Sequence, residues 1–146
     1  MEEAGCTAAE AMLTAPARHS LSATVAEIAD FFRDDHAHAA LIVSPAGYLA
    51  AVVERDDIAE SPAHDAAAAP LGRLAGRTVL PGASLAEVHR AMVVTGRRRA
   101  AVISADGRLL GLLCLKASRT GFCSDRDVRA RALDEACRSG ARHAMD

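Results

Sequence analysis

Apolar residues fall in short runs along this chain. Leu41 to Val43 and Leu49 to Val53 flank a loop holding Pro45 and Gly47, which predicts a β-hairpin with a buried first strand. The second strand runs straight into a polar cluster, Glu54-Arg55-Asp56-Asp57. Sixty residues on, Ala100 to Ser118 repeats the hairpin pattern without that cluster. Helical spacing appears ahead of each hairpin. Thr24 opens T-V-A-E and Ser84 opens S-L-A-E, both capping-box patterns. Val25, Ile28, Ala29 and Phe32, and then Leu85, Val88 and Met92, mark the core-facing sides. Gly96 suits a helix C-terminus.

Shorter signals fill the gaps. T-A-A-E from Thr7 predicts a brief helix through Leu13, ended by Pro16, and Arg18–Leu21 and Arg77–Leu80 read as short strands. Thr24–Ile58 aligns with Ser84–Ser118 without a gap, with six of 35 positions identical. Shared caps, helix faces, turn glycines and strand register make this an internal repeat. Two prolines, a glycine and an alanine run mark a linker. The expected organisation is a first repeat over 7–62, a linker over 63–72, a second repeat over 73–123, and a C-terminal helix and tail over 124–146. That last helix is capped near Ser124 or Asp125 and stopped by Gly140.

The chain of 146 residues is long enough for one compact unit, or for two halves sharing a core. A formal charge of −2 gives no general attraction to nucleic acid or to an anionic membrane. No apolar run approaches the roughly 18 residues of a membrane span, and the N-terminus M-E-E-A-G-C has no signal-peptide pattern. The cysteines form no C-x-x-C pair. These features point to the cytoplasm, with reduced thiols.

Candidate chemistry is sparse. There is no Gly-rich phosphate loop, and no serine–histidine or paired-carboxylate arrangement that reads as catalytic. Aromatic residues make up 3% of the chain and tryptophan is absent, which argues against base-stacking surfaces. His36 and His38 have an H-x-H spacing but no further metal-ligand context. Cys114 lies in a buried strand and reads as packing, whereas Cys123, beside Gly121 and Ser124, is the more exposed thiol and a candidate for redox sensitivity. Arg97-Arg98-Arg99 reads either as an anion-binding turn or as a solvated one.

The order of these elements resembles the tandem CBS domain pair, also called a Bateman module. The resemblance rests on A-E-A-M-L-T-A-P near the start, A-T-V-A-E at the helix, A-G-Y-L-A-A-V-V-E-R-D-D-I in the first hairpin and A-D-G-R-L-L-G-L-L-C in the second. It implies a mixed α/β (α+β) fold of two βαββα repeats about a pseudo-twofold axis. It also implies a non-enzymatic regulatory or sensor role, a homodimer, and a regulated partner protein. The family's nucleotide motif falls on Ala51–Asp57, and the ligand it implies is AMP, ADP, ATP or S-adenosylmethionine. Val53, Glu54, Arg55 and Asp57 are the matching positions, with Asp57 in the ribose-binding place and Glu54 in place of the usual hydroxyl residue. His38, Arg98 and Arg99 match the family's phosphate-facing positions. In the second copy Cys114 and Ala117 replace the hydroxyl and the aspartate, which disables ribose recognition there. Asp57 has a second reading as a helix cap. The whole chain has one too, as a ligand-free structural dimerisation or interaction module with degenerate sites.

Overall fold

The structure is a computed structural model that describes residues 6–35, 37–59 and 64–123. The expected C-terminal helix over 124–146 lies outside the described residues, as does His36. Helix α1 spans Ala8–Ala11 and α2 spans Val25–Phe31; strands β1 (Ala40–Val43) and β2 (Leu49–Val53) follow, then α3 (Arg55–Ile58). A 3-10 turn at Ala69–Leu71 precedes β3 (Thr78–Val79), α4 (Leu85–Thr95), β4 (Arg99–Ile103) and β5 (Leu109–Cys114).

Local chemistry accounts for these boundaries. Thr24 Oγ1 accepts the Glu27 N–H at 3.1 Å, and Glu27 Oε1 accepts the Thr24 N–H at 2.9 Å, so the capping box starts α2. Ser84 Oγ accepts the Glu87 N–H at the start of α4, and Gly96 ends that helix in the left-handed region at φ 76°. Val25, Ile28 and Phe32 are buried, as are Leu85, Val88 and Met92. Ala29, expected on the same stripe, is exposed because it sits about 100° around the helix from Ile28. Helix α1 stops well before Pro16. Met12 turns extended, and Leu13 exchanges backbone hydrogen bonds with Leu112 at 2.8 and 3.0 Å. The strand expected over Arg18–Leu21 contracts to a single parallel bridge between His19 and Ile42.

The two hairpins are built alike. β1 pairs antiparallel with β2 and β4 with β5, and each ladder shifts register at the same place, Ile42/Val43 and Val102/Ile103. Their turns meet at the pseudo-twofold axis. Leu49 N–H donates to Gly107 O and Leu109 N–H to Gly47 O, both at 3.0 Å, and Gly47 and Gly107 share φ 96°. Only glycine holds that conformation without strain.

The repeat extends further upstream than sequence similarity shows. The bridge of Thr7 to Ser84 has its counterpart sixty positions on in that of Thr24 to Ala67, and Leu13 with Leu112 has its counterpart in Arg73 with Val52. Ala8 and Ala68 are both fully buried. Residues 64–72 thus form a second copy of the lead-in around α1, and they pack on the first hairpin. The N-terminal lead-in packs on the second. Each hairpin is therefore completed by the segment that leads into the other. The fit is tight, since a Cβ on Gly111 would stand 2.5 Å from Leu13 O and one on Gly72 2.7 Å from Val52 O.

Three apolar clusters result. One joins α2 to β1 and β2 through Ile28, Phe32, Ile42 and Val53. A second joins α1 and α4 to β4 and β5 through Ala8, Met92, Leu113 and Leu115. The third lies between the hairpins, where Leu41, Leu49 and Val52 meet Ala101, Leu109 and Leu112. The repeats thus share a core, and the loops at their seam are held in fixed positions.

Candidate ligand cleft between the repeats

A cleft of about 340 Å³ opens at that seam. The first repeat supplies His38, just ahead of β1, and Glu54, Arg55 and Asp56, where β2 turns into α3. The second supplies Thr95 to Arg99, the turn between α4 and β4. Five of the seven expected site residues line this cleft: His38, Glu54, Arg55, Arg98 and Arg99. Val53 and Asp57 do not.

The reason is a buried ion network. Val53 is fully buried, with its side chain in the first core. Asp57 turns inward to Arg77, and the Asp57 and Arg77 side chains are 8% and 5% exposed. Arg77 Nη1 donates to Asp57 Oδ2 at 2.6 Å and Nη2 to Oδ1 at 3.2 Å, a two-pronged pairing. Nη1 also donates to Val52 O at 2.7 Å. Asp57 Oδ2 additionally accepts the Glu54 N–H at 2.7 Å, so the aspartate caps α3 as well. Both carboxylate oxygens are thereby committed to groups inside the protein. In this structure Asp57 takes the second of its two readings, a helix cap, and also straps Arg77.

The same contacts set the electrostatics of the pair. Burial alone would raise the Asp57 carboxyl, but hydrogen bonds from Arg77 and the Glu54 N–H, with the charges of Arg77 and Arg73, hold it below the usual carboxylate range. Burial works against the Arg77 charge too, yet Asp57 and Glu54 together push its proton affinity up.

Glu54 links this buried pair to the cleft. Its Oε1 lies 3.3 Å from Arg77 Nη2, while Oε2 pairs with Arg97 Nη1. Arg55 is held differently. Its Nη2 donates to Asp34 O and Ala37 O at 3.0 and 2.9 Å, and its guanidinium lies over the Phe32 ring at 5.2 Å. Arg98 Nε donates to Leu115 O at 3.0 Å, and Arg99 Nη1 to Arg98 O at 3.0 Å. The cleft thus presents arginines and His38 around two carboxylates, one of which, Glu54, is bridged by arginines on both sides. Chemically this wall can receive an anion of several oxygens.

Sequence reasoning missed Arg77 and left Arg97 outside the expected site. Arg97 belonged to a visible basic run. Arg77 carried a fainter signal, an arginine opening an apolar strand, R-T-V-L, which on burial requires a carboxylate.

Residues 77–117 match the family model of the CBS domain. Solved structures with the same arrangement include CBSX2 in complex with AMP, at 19% identity and a TM-score of 0.65, covering 90% of this chain and 99% of that one. The fold is a tandem CBS pair. Another such structure is that of the CBS domains of a transcriptional regulator from Streptococcus pneumoniae, at 17% identity and a TM-score of 0.61, covering 86% of this chain and 98% of that one. A third is Hypoxic Response Protein I with two coordinated zinc ions, at 22% identity and a TM-score of 0.59, covering 85% and 97%. No curated protein matches this CBS-pair chain in sequence. Among the described residues, no three or more His, Cys, Asp or Glu side chains gather in the way a metal ion requires. No helix among them is long and apolar enough to cross a membrane.

Proposed function

We propose that this CBS pair is a non-enzymatic, cytoplasmic regulatory module, acting as a homodimer on a partner protein. Its inter-repeat cleft would bind one adenine nucleotide or adenosyl ligand, chiefly through the phosphates. The observation that carries this reading is the convergence of Arg97, Arg98 and Arg99 on His38 and Arg55 across one cleft. Its volume falls in the range of small-molecule sites, roughly 300–1,000 Å³. The AMP complex of CBSX2 supplies the ligand class. Phosphate oxygens would compete with Glu54 for Arg97, and a partner would read the resulting shift between arrangements of the repeats.

A thermal-shift and calorimetric screen with AMP, ADP, ATP and S-adenosylmethionine tests this. A ligand at 100 times its dissociation constant adds about 2.7 kcal/mol, which for a chain of this size raises the melting temperature by very roughly 5–10 °C. No response to any of the four overturns the reading. One feature favours a second reading, a ligand-free interaction module. The Glu54 bridges to Arg77 and Arg97 already join the repeats across the cleft. That reading predicts a flat screen and unchanged self-association when nucleotide is added.

A further inference from the structure

Beyond the second hairpin the chain doubles back on itself. Leu115 and Phe122 form an antiparallel bridge, framed by Lys116 N–H to Gly121 O at 2.9 Å and Cys123 N–H to Cys114 O at 2.8 Å. In an antiparallel pair this pattern makes Cys114 and Cys123 direct cross-strand neighbours whose side chains leave from the same face. The core contacts agree. Leu115 and Phe122 both pack into the second-repeat cluster, which puts the two cysteines on the opposite side of the ribbon. Arg99 is the β4 partner of Cys114, so a row of Arg99, Cys114 and Cys123 runs from the cleft lining to the loop.

Cys6, Cys114 and Cys123 stand in no disulfide in this structure. Cys114 is 5% exposed and Cys123 is half-buried. One backbone bond, Cys123 N–H to Cys114 O, joins the pair. A fully hydrogen-bonded cross-strand pair has Cα atoms about 5.5 Å apart, within the roughly 4.4–6.8 Å that a disulfide spans. Their Cβ atoms start slightly farther apart than the bond holds them. This bridge is isolated and followed by a turn, with Arg119 at φ 64°, so no long ladder resists the closure.

We propose that Cys114 and Cys123 form a reversible disulfide, a modification site at the end of the second repeat. The oxidant is a small-molecule disulfide such as oxidised glutathione. The Cys123 sulfur, the more accessible, attacks one sulfur of that disulfide and expels one thiol. The Cys114 sulfur then attacks Cys123 Sγ in the mixed disulfide and expels the second. Two protein thiols become one protein disulfide, and one small disulfide becomes two thiols, so protons and electrons balance. The bond staples the 115–122 loop, which also holds helix α4. The Arg119 carbonyl lies 2.7 Å from His89 Nε2, and the Phe122 ring meets His89 edge-on at 5.8 Å. Oxidation therefore stiffens the segment next to the arginine wall of the cleft.

The test is oxidation of the full-length native protein with oxidised glutathione, followed by alkylation with N-ethylmaleimide, tryptic digestion and mass spectrometry. The expected product is peptide 109–116 joined to peptide 120–126, two hydrogens lighter than their sum and separated by dithiothreitol. Alkylatable thiols fall from four to two, leaving Cys6 and Cys137 modified. In concentrated urea the pairing should spread over all four cysteines. In the Cys123→Ser variant, peptide 109–116 should carry the alkyl group. Two results overturn the proposal: native cross-links to Cys6 or Cys137 as the main product, or glutathione adducts without any 109–116 to 120–126 species.

Discussion

The two hairpins share register, bulge and turn, yet they leave their sheets differently. β2 ends at Val53 and passes through Glu54 into α3, which Asp57 caps while reaching inward to Arg77. β5 ends in Cys114 and continues as a strand-like return over Leu115 and Phe122. A single substitution pattern explains the divergence. The second copy has Ala117 where the first has Asp57, and Ala17 stands sixty positions before Arg77. Without the carboxylate there is neither a cap nor a partner for a buried guanidinium. The aspartate that resembles a ligand contact thus serves to distinguish the two exits structurally. The arginine turn, Arg97 to Arg99, lies across the cleft from this exit.

The largest way to break this difference is Arg77→Met. It removes the partner of a buried carboxylate, and such losses cost about 3–5 kcal/mol. Urea unfolding should show a drop of about 3 kcal/mol. The double variant Arg77→Met with Asp57→Asn should recover part of it, since the uncompensated charge is then gone too.

Acid should act on the same pair. The folded carboxyl of Asp57 titrates below its ordinary 3.8, so its contribution to stability is present above that value and is lost as pH falls through the lower folded value. Urea midpoints measured from pH 6 down to pH 2.5 should therefore fall below about pH 4. That fall should be shallower in Asp57→Asn.

The smallest effect is expected at the other exit. Ala117 is exposed and has no arginine equivalent to Arg77 behind it. Ala117→Asp should therefore leave stability within about 0.5 kcal/mol of wild type. A gain comparable in size to the Arg77→Met loss would mean that the aspartate alone, without its partner, sets the difference between the exits.

Much of the frame was legible in the sequence. T-V-A-E and S-L-A-E placed two helix starts, and Gly47 and Gly107 placed two turns, because caps and left-handed glycines are local signals. The upstream half of the repeat was not legible. T-A-A-E-A-M-L and A-A-A-P-L-G-R share little beyond two alanines, and what equates them is pairing to distant hairpins. For the same reason, an alanine-rich stretch that reads as a linker is a packed lead-in. At the site, the basic run and His38 were visible as types. The direction in which Asp57 points depends on Arg77, twenty residues away, and no local spacing reports that.

The most direct measurement of the proposed division of labour is calorimetric titration of ATP and AMP into wild type, Asp57→Asn and Arg98→Ala/Arg99→Ala. The temperature must be one at which all three are folded. The account predicts that Asp57→Asn binds within about threefold of wild type, whereas the double arginine variant loses tenfold or more, about 1.4 kcal/mol. Loss of binding in Asp57→Asn, with the arginine variant unaffected, would contradict it.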